Sequence, residues 1–145
     1  MKYKRKEKYK TLEAQLAAVK QSGFAIEHIH NPSEAVQLAA VKQHYRAIRY
    51  IHNPLEGAQL EAVKNNGFAI EYIHNPSEAV QLAAVKQSGF AIWHIHNPSE
   101  AVQLAAVKNN GFTIEYIYNP SEEVIDFLKN EHIEVFDEYF EEVKQ

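Results

Sequence analysis

An all-α fold, a right-handed solenoid of two-helix units, is predicted by three observations. A 22-residue unit repeats without slippage five times over residues 9–118, with Asn-Pro recurring at Asn31, Asn53, Asn75, Asn97 and Asn119. Residues 15–42 and 81–108, three units apart, differ only where Glu27 gives way to Trp93. Each unit holds one apolar run at helical spacing, closed in most copies by glycine, then a second, shorter run. A unit this short cannot bury its own apolar face, so each must stack on its neighbours. Stacking yields an extended surface rather than a pocket, and the expected function is binding.

The first element of a unit is a helix, as in residues 33–42, Ser-Glu-Ala-Val-Gln-Leu-Ala-Ala-Val-Lys. Ser33 is an N-cap residue, Glu34 puts negative charge in the first turn, and Pro32 keeps helix from extending backwards. Val36, Leu38, Ala40 and Val41 supply an apolar stripe. The helix should end at glycine: Gly23, Gly67, Gly89 and Gly111 each follow Gln-Ser or Asn-Asn. A left-handed residue after the last turn suits glycine there. Residues 24–30, Phe-Ala-Ile-Glu-His-Ile-His, form the second element, two turns at most, α or 3₁₀. Their partial alternation leaves a strand as the alternative reading.

The running text Asn-Pro-Ser-Glu-x-Val-Gln-Leu-Ala-Ala-Val-Lys-Gln-x-Gly-x-Ala-Ile resembles a short two-helix repeat of bacterial, prophage and viral proteins, itself similar to the leucine-rich-repeat variant. The resemblance covers residues 9–124. It implies an α-solenoid that binds other molecules and has no catalytic residues. For a phage protein it suggests an inhibitor of a host or defence protein.

Composition narrows the classes. The chain has 145 residues, 46% hydrophobic and 23% charged, enough for one elongated core and too apolar for disorder. It reads as one domain: a basic tail over residues 1–8, the array over 9–118, and an acidic helical cap over 119–145. No uncharged stretch is long enough to span a membrane, and the absence of cysteine fits a reducing cytoplasm, the expected location. There is no glycine-rich phosphate loop, and Ser22, Ser33, Ser77, Ser88, Ser99 and Ser121 fall at capping or turn positions. The chain is therefore expected not to be an enzyme, and no cofactor is expected.

Positions that recur in every unit read as structure. Leu16, Leu38, Leu60, Leu82 and Leu104 are assigned to the core with the Val and Ile positions. Gln15, Gln37, Gln59, Gln81 and Gln103 form a polar ladder suited to hydrogen bonds between stacked units. Lys20, Lys42, Lys64, Lys86 and Lys108 sit where a helix C-terminus favours a cation. The ladder Glu34, Glu56, Glu78, Glu100 and Glu122 balances them, which argues against tracking of nucleic-acid phosphates. His30, His52, His74 and His96 recur one per unit. Units roughly 8–10 Å apart are too far separated for neighbouring imidazoles to share zinc at about 2.0–2.1 Å. No metal is expected, and the histidines are read as capping the short helix and ordering the Asn-Pro turn.

Places where the repeat breaks carry the functional expectation. His44, Tyr45, Arg46, Arg49 and Tyr50 replace Ser or Asn, Gly, Phe, Glu and His or Tyr, while Trp93 stands where three other units carry Glu. Arg49 and Trp93 share a unit position two repeats apart, roughly 20 Å along one face. Arg, Tyr and Trp are the types enriched at interface hot spots. These six residues are the candidate partner-binding set. Glu131, Glu134, Asp137, Glu138, Glu141 and Glu142 form a possible acidic interaction surface that could imitate phosphates. The basic residues 2–10 could also pair head to tail with the acidic end of a second copy. The expected partner is a protein. The alternatives are nucleic acid, or phosphate mimicry of it, and self-assembly; no membrane is expected.

Overall fold

The computed structural model describes residues 8–143. Five units stack in sequence, each an α-helix followed by a six-residue 3₁₀ helix: α1 (Leu12–Gln21) and η1 (Gly23–His28), α2 (Glu34–Gln43) and η2 (Tyr45–Tyr50), α3 (Glu56–Asn65) and η3 (Gly67–Tyr72), α4 (Glu78–Gln87) and η4 (Gly89–His94), α5 (Glu100–Asn109) and η5 (Gly111–Tyr116). A helical pair, α6 (Glu122–Glu131) and α7 (Ile133–Val143), covers the last unit. Each long helix packs on the next and each 3₁₀ helix on its neighbour, an all-α repeat solenoid with no strand among the described residues. The basic tail lies outside the described residues except for Lys8.

The second element is 3₁₀ rather than strand. Ala25 N–H donates to Ser22 O at 2.9 Å and Ile29 N–H to Ile26 O at 3.0 Å, the three-residue bond that defines this helix. Six residues rising about 2.0 Å each span roughly 12 Å, closer than an α-turn would come to the roughly 15 Å of the ten-residue helix beside it. Side chains three apart eclipse in a 3₁₀ helix. Gly23, Ile26 and Ile29 therefore form one buried row, while Phe24, Glu27 and His30 form an exposed one.

The core runs as a continuous strip: Val36, Ala40 and Val41 with Ile26 and Ile48, and their equivalents in the third to fifth units, are almost inaccessible to solvent. The leucine ladder is not part of it. Leu16, Leu60, Leu82 and Leu104 are only partly buried, packed against the strip from outside. The inward face of α2 is Val36, Gln37, Ala40 and Val41, so the leucine between these positions projects sideways.

The glycines play a different part from the expected one. None has positive φ; the left-handed residues are Asn31, Asn53, Asn75 and Asn97, at φ of 49 to 51°. Asparagine tolerates this region, so the turn before each proline carries the backbone reversal. Glycine is required instead by close approach: a Cβ on Gly67 would lie 2.5 Å from the Ala84 carbonyl oxygen of the next long helix.

Candidate recognition surface

Some members of the polar ladders hold units together. Gln37 Nε2 donates to Pro32 O at 3.0 Å, and its Oε1 accepts from Leu55 N–H of the next unit at 2.9 Å. Gln103 repeats the bridge to Pro98 O and Ser121 N–H, at 3.2 and 3.0 Å. Ser77 Oγ donates to Glu56 Oε1 at 2.5 Å, and Ser99 Oγ likewise to Glu78. Asn109 Oδ1 accepts from Gly89 N–H at 2.7 Å. Among the described residues no buried side-chain nitrogen or oxygen lacks a partner.

The histidine ladder does not cap. His30, His52, His74 and His96 are exposed, and among the described residues they make no hydrogen bond to the short-helix carbonyls. They stand instead on the rims of clefts between units. One such cleft, about 620 Å³, lies between the third and fourth units, with His74 on one wall and Trp93, His94 and His96 on the other. No three of His, Asp and Glu among the described residues are arranged to hold a metal ion.

The exposed row of each 3₁₀ helix holds the irregular residues. In η3 and η5 the row begins Phe68, Glu71 and Phe112, Glu115; in η2 it is Arg46, Arg49 and in η4 Phe90, Trp93. Trp93 is 70% exposed, the indole stacked between the rings of His94 and Tyr116, each with its centroid 5.8 Å away. Arg49 lies over the rings of Tyr50 and Tyr72, at 5.2 and 5.7 Å. Within the row a Phe meets the ring one unit on, edge to face: Phe24 with Tyr50, Phe68 with His94, Phe90 with Tyr116. Arg46 takes the place of Phe in η2, so the junction to Tyr72 has cations where the others have a ring.

His44 and Tyr45 are turned into the array. His44 precedes η2 with Nδ1 accepting from Arg46 N–H at 3.1 Å, its ring 4.8 Å from Phe24 and 5.2 Å from Tyr45. Tyr45 is half-buried against the core. Arg46, Arg49, Tyr50 and Trp93 remain on the exposed side. Tyr72 and Tyr116 belong to the same surface though neither breaks the repeat; a spacing of three aligns them with buried Ala69 and Thr113, so only their contacts with Arg49 and Trp93 of the preceding unit place them there.

The phenol of Tyr72 is held above the ordinary tyrosine value, first by its hydrogen bond with Glu71 and then by burial. The charges of Arg46 and Arg49 pull it the other way.

At the far end Glu131, Glu134, Asp137, Glu138 and Glu141 are exposed on the cap, while Val135, Phe136 and Tyr139 face the array. The side chain of Glu142 lies outside the described residues. Among those residues no helix is long and apolar enough to cross a membrane. Comparison with protein-family models, curated proteins and solved structures returned no match.

Proposed function

We propose that the chain is a non-enzymatic protein-binding module that recognises its partner with the exposed row of its 3₁₀ helices. The observation that carries this reading is the pair at one unit position: Trp93, exposed and pre-stacked on His94 and Tyr116, and Arg49, seated over Tyr50 and Tyr72. Rings and guanidinium already held in place lose little rotamer freedom on binding, which is what a hot spot requires. The glutamine ladder is committed to internal bonds, and along the 3₁₀ face it is this row that varies between units. The most specific form of the reading, an inhibitor of a host or defence protein carried by a phage or mobile element, rests on the resemblance of residues 9–124 alone.

The test is capture from nuclease-treated bacterial lysate with wild type and with the Arg49→Glu, Trp93→Glu double variant. Glutamate occupies the same position as Glu27, Glu71 and Glu115, so the variant should fold. A protein held by wild type and lost by the variant supports the reading. Equal capture by both moves the site elsewhere, and the exposed carboxylates of the cap, a phosphate-like surface, are then the second reading.

A further inference from the structure

The outer sides of the long helices carry a second surface, separate from the 3₁₀ row. Between α4 and α5 the side-facing Leu82 and Leu104, with Ala101 and Ala105, line an open apolar groove of about 490 Å³. Its charged lining residues are Lys86 and Lys108, both at the C-terminal ends of their helices. At the opposite end Glu78 is tied to the Ser99 hydroxyl and Glu100 is exposed. Toward the cap the Lys108 ammonium lies over the Phe127 ring, 5.7 Å from its centroid. On the other side the stripe is interrupted in α3, where Glu61 stands in place of the alanine found at Ala83 and Ala105.

We infer that this groove docks an amphipathic helix of a partner protein whose apolar stripe carries acidic residues at one end. A helix laid between two others sets its side chains into the furrow they leave. An apolar floor whose only charged lining groups are ammoniums at one rim selects carboxylates there, and Glu100 at the other end opposes them, so charge fixes the direction of the bound helix as well as its sign. The chain's own acidic helix α7 does not supply the occupant, because its Val135, Phe136 and Tyr139 are already packed against the array.

The probe is a labelled synthetic peptide of about 14 residues, roughly 21 Å as a helix and long enough to cover α4 and α5. It carries leucines at helical spacing and glutamates at one end; a counterpart replaces the glutamates with lysine. Fluorescence anisotropy with the full chain should show binding of the acidic peptide alone. Lys86→Glu with Lys108→Glu should weaken it about tenfold, two rim pairs reversed. Ala101→Trp, which fills the groove without changing charge, should abolish it, and Trp93→Glu should leave it unchanged, separating this site from the 3₁₀ row. Should charge reversal impair folding, Lys86→Gln with Lys108→Gln gives the same test more gently.

Equal binding of both peptides, or unchanged affinity in both groove variants, would overturn the inference. So would self-association of the chain that those variants abolish, which would make the occupant a second copy, or binding of a nucleic acid in competition with the peptide.

Discussion

Gln37 joins two units with one amide: its nitrogen donates to Pro32 O at 3.0 Å and its oxygen accepts from Leu55 N–H at 2.9 Å. The side chain is 5% exposed and both of its bonds are part-buried, so truncation strips two part-buried backbone groups of their partner. Gln37→Ala should therefore cost about 1–3 kcal/mol, the range for leaving buried groups unsatisfied. Gln59, whose amide bonds only Pro54 O, should cost less when truncated. Urea unfolding of the two variants measures the difference, and equal midpoints would contradict it.

Glycine substitutions should split by location. At Gly67 an added Cβ meets the Ala84 carbonyl at 2.5 Å, a backbone group that cannot swing aside, and Gly67→Ala should destabilise by about 1–3 kcal/mol as overpacking does. At Gly111 the nearest atoms, side chains of the cap, are 3.6 Å away. Gly111→Ala should be neutral or stabilise by up to about 1 kcal/mol through the unfolded chain. Were left-handed backbone the reason for these glycines, both would destabilise alike.

Helix capping is uneven along the array. Ser99 Oγ accepts from Val102 N–H at 3.4 Å and also donates to Glu78, whereas Ser33 makes no side-chain cap bond. Ser99→Ala should cost about 1 kcal/mol and Ser33→Ala only a few tenths. Thermal melts of the paired variants resolve this.

Alkaline pH should reach the η2–η3 junction through Tyr72. Its phenol is raised, chiefly by donating to Glu71, so the folded state favours the neutral form. The stabilisation is fully present below the ordinary tyrosine value and is lost as pH rises through the folded value. Ultraviolet titration should show one phenol ionising late in wild type. Glu71→Gln should move it down, and Arg49→Glu should move it up by removing an opposing cation. A Tyr72→Phe variant that leaves the late step in place would show that another tyrosine is responsible.

Much of the architecture was legible in the chain. The spacing of the Asn-Pro pairs sets the unit, Ser-Glu marks helix starts, and the Val and Ile positions mark the core, all local signals repeated often enough to separate from noise. Glycine was misread because a helix-ending glycine has two physical reasons, left-handed backbone or close approach, and only the position of the neighbouring Ala84 carbonyl distinguishes them. Leucine was misplaced because helical spacing tells which residues share a face but not which face the next unit covers. The candidate surface was partly visible: Arg49 and Trp93 stood out as breaks, while Tyr72 and Tyr116 follow the repeat and become part of the surface only through the guanidinium and the indole that lie on them.

By itself, then, the sequence determined the period, the all-α class and the alternation of a long and a short helix, because these follow from residue spacing within one unit. Tertiary structure decided which ladder bridges units, which apolar residues stay outside the core, and that Trp93 stacks on Tyr116 of the following unit. Those are relations between units, and in a stacked array they depend on how far apart and at what angle neighbours pack, a quantity no single unit encodes.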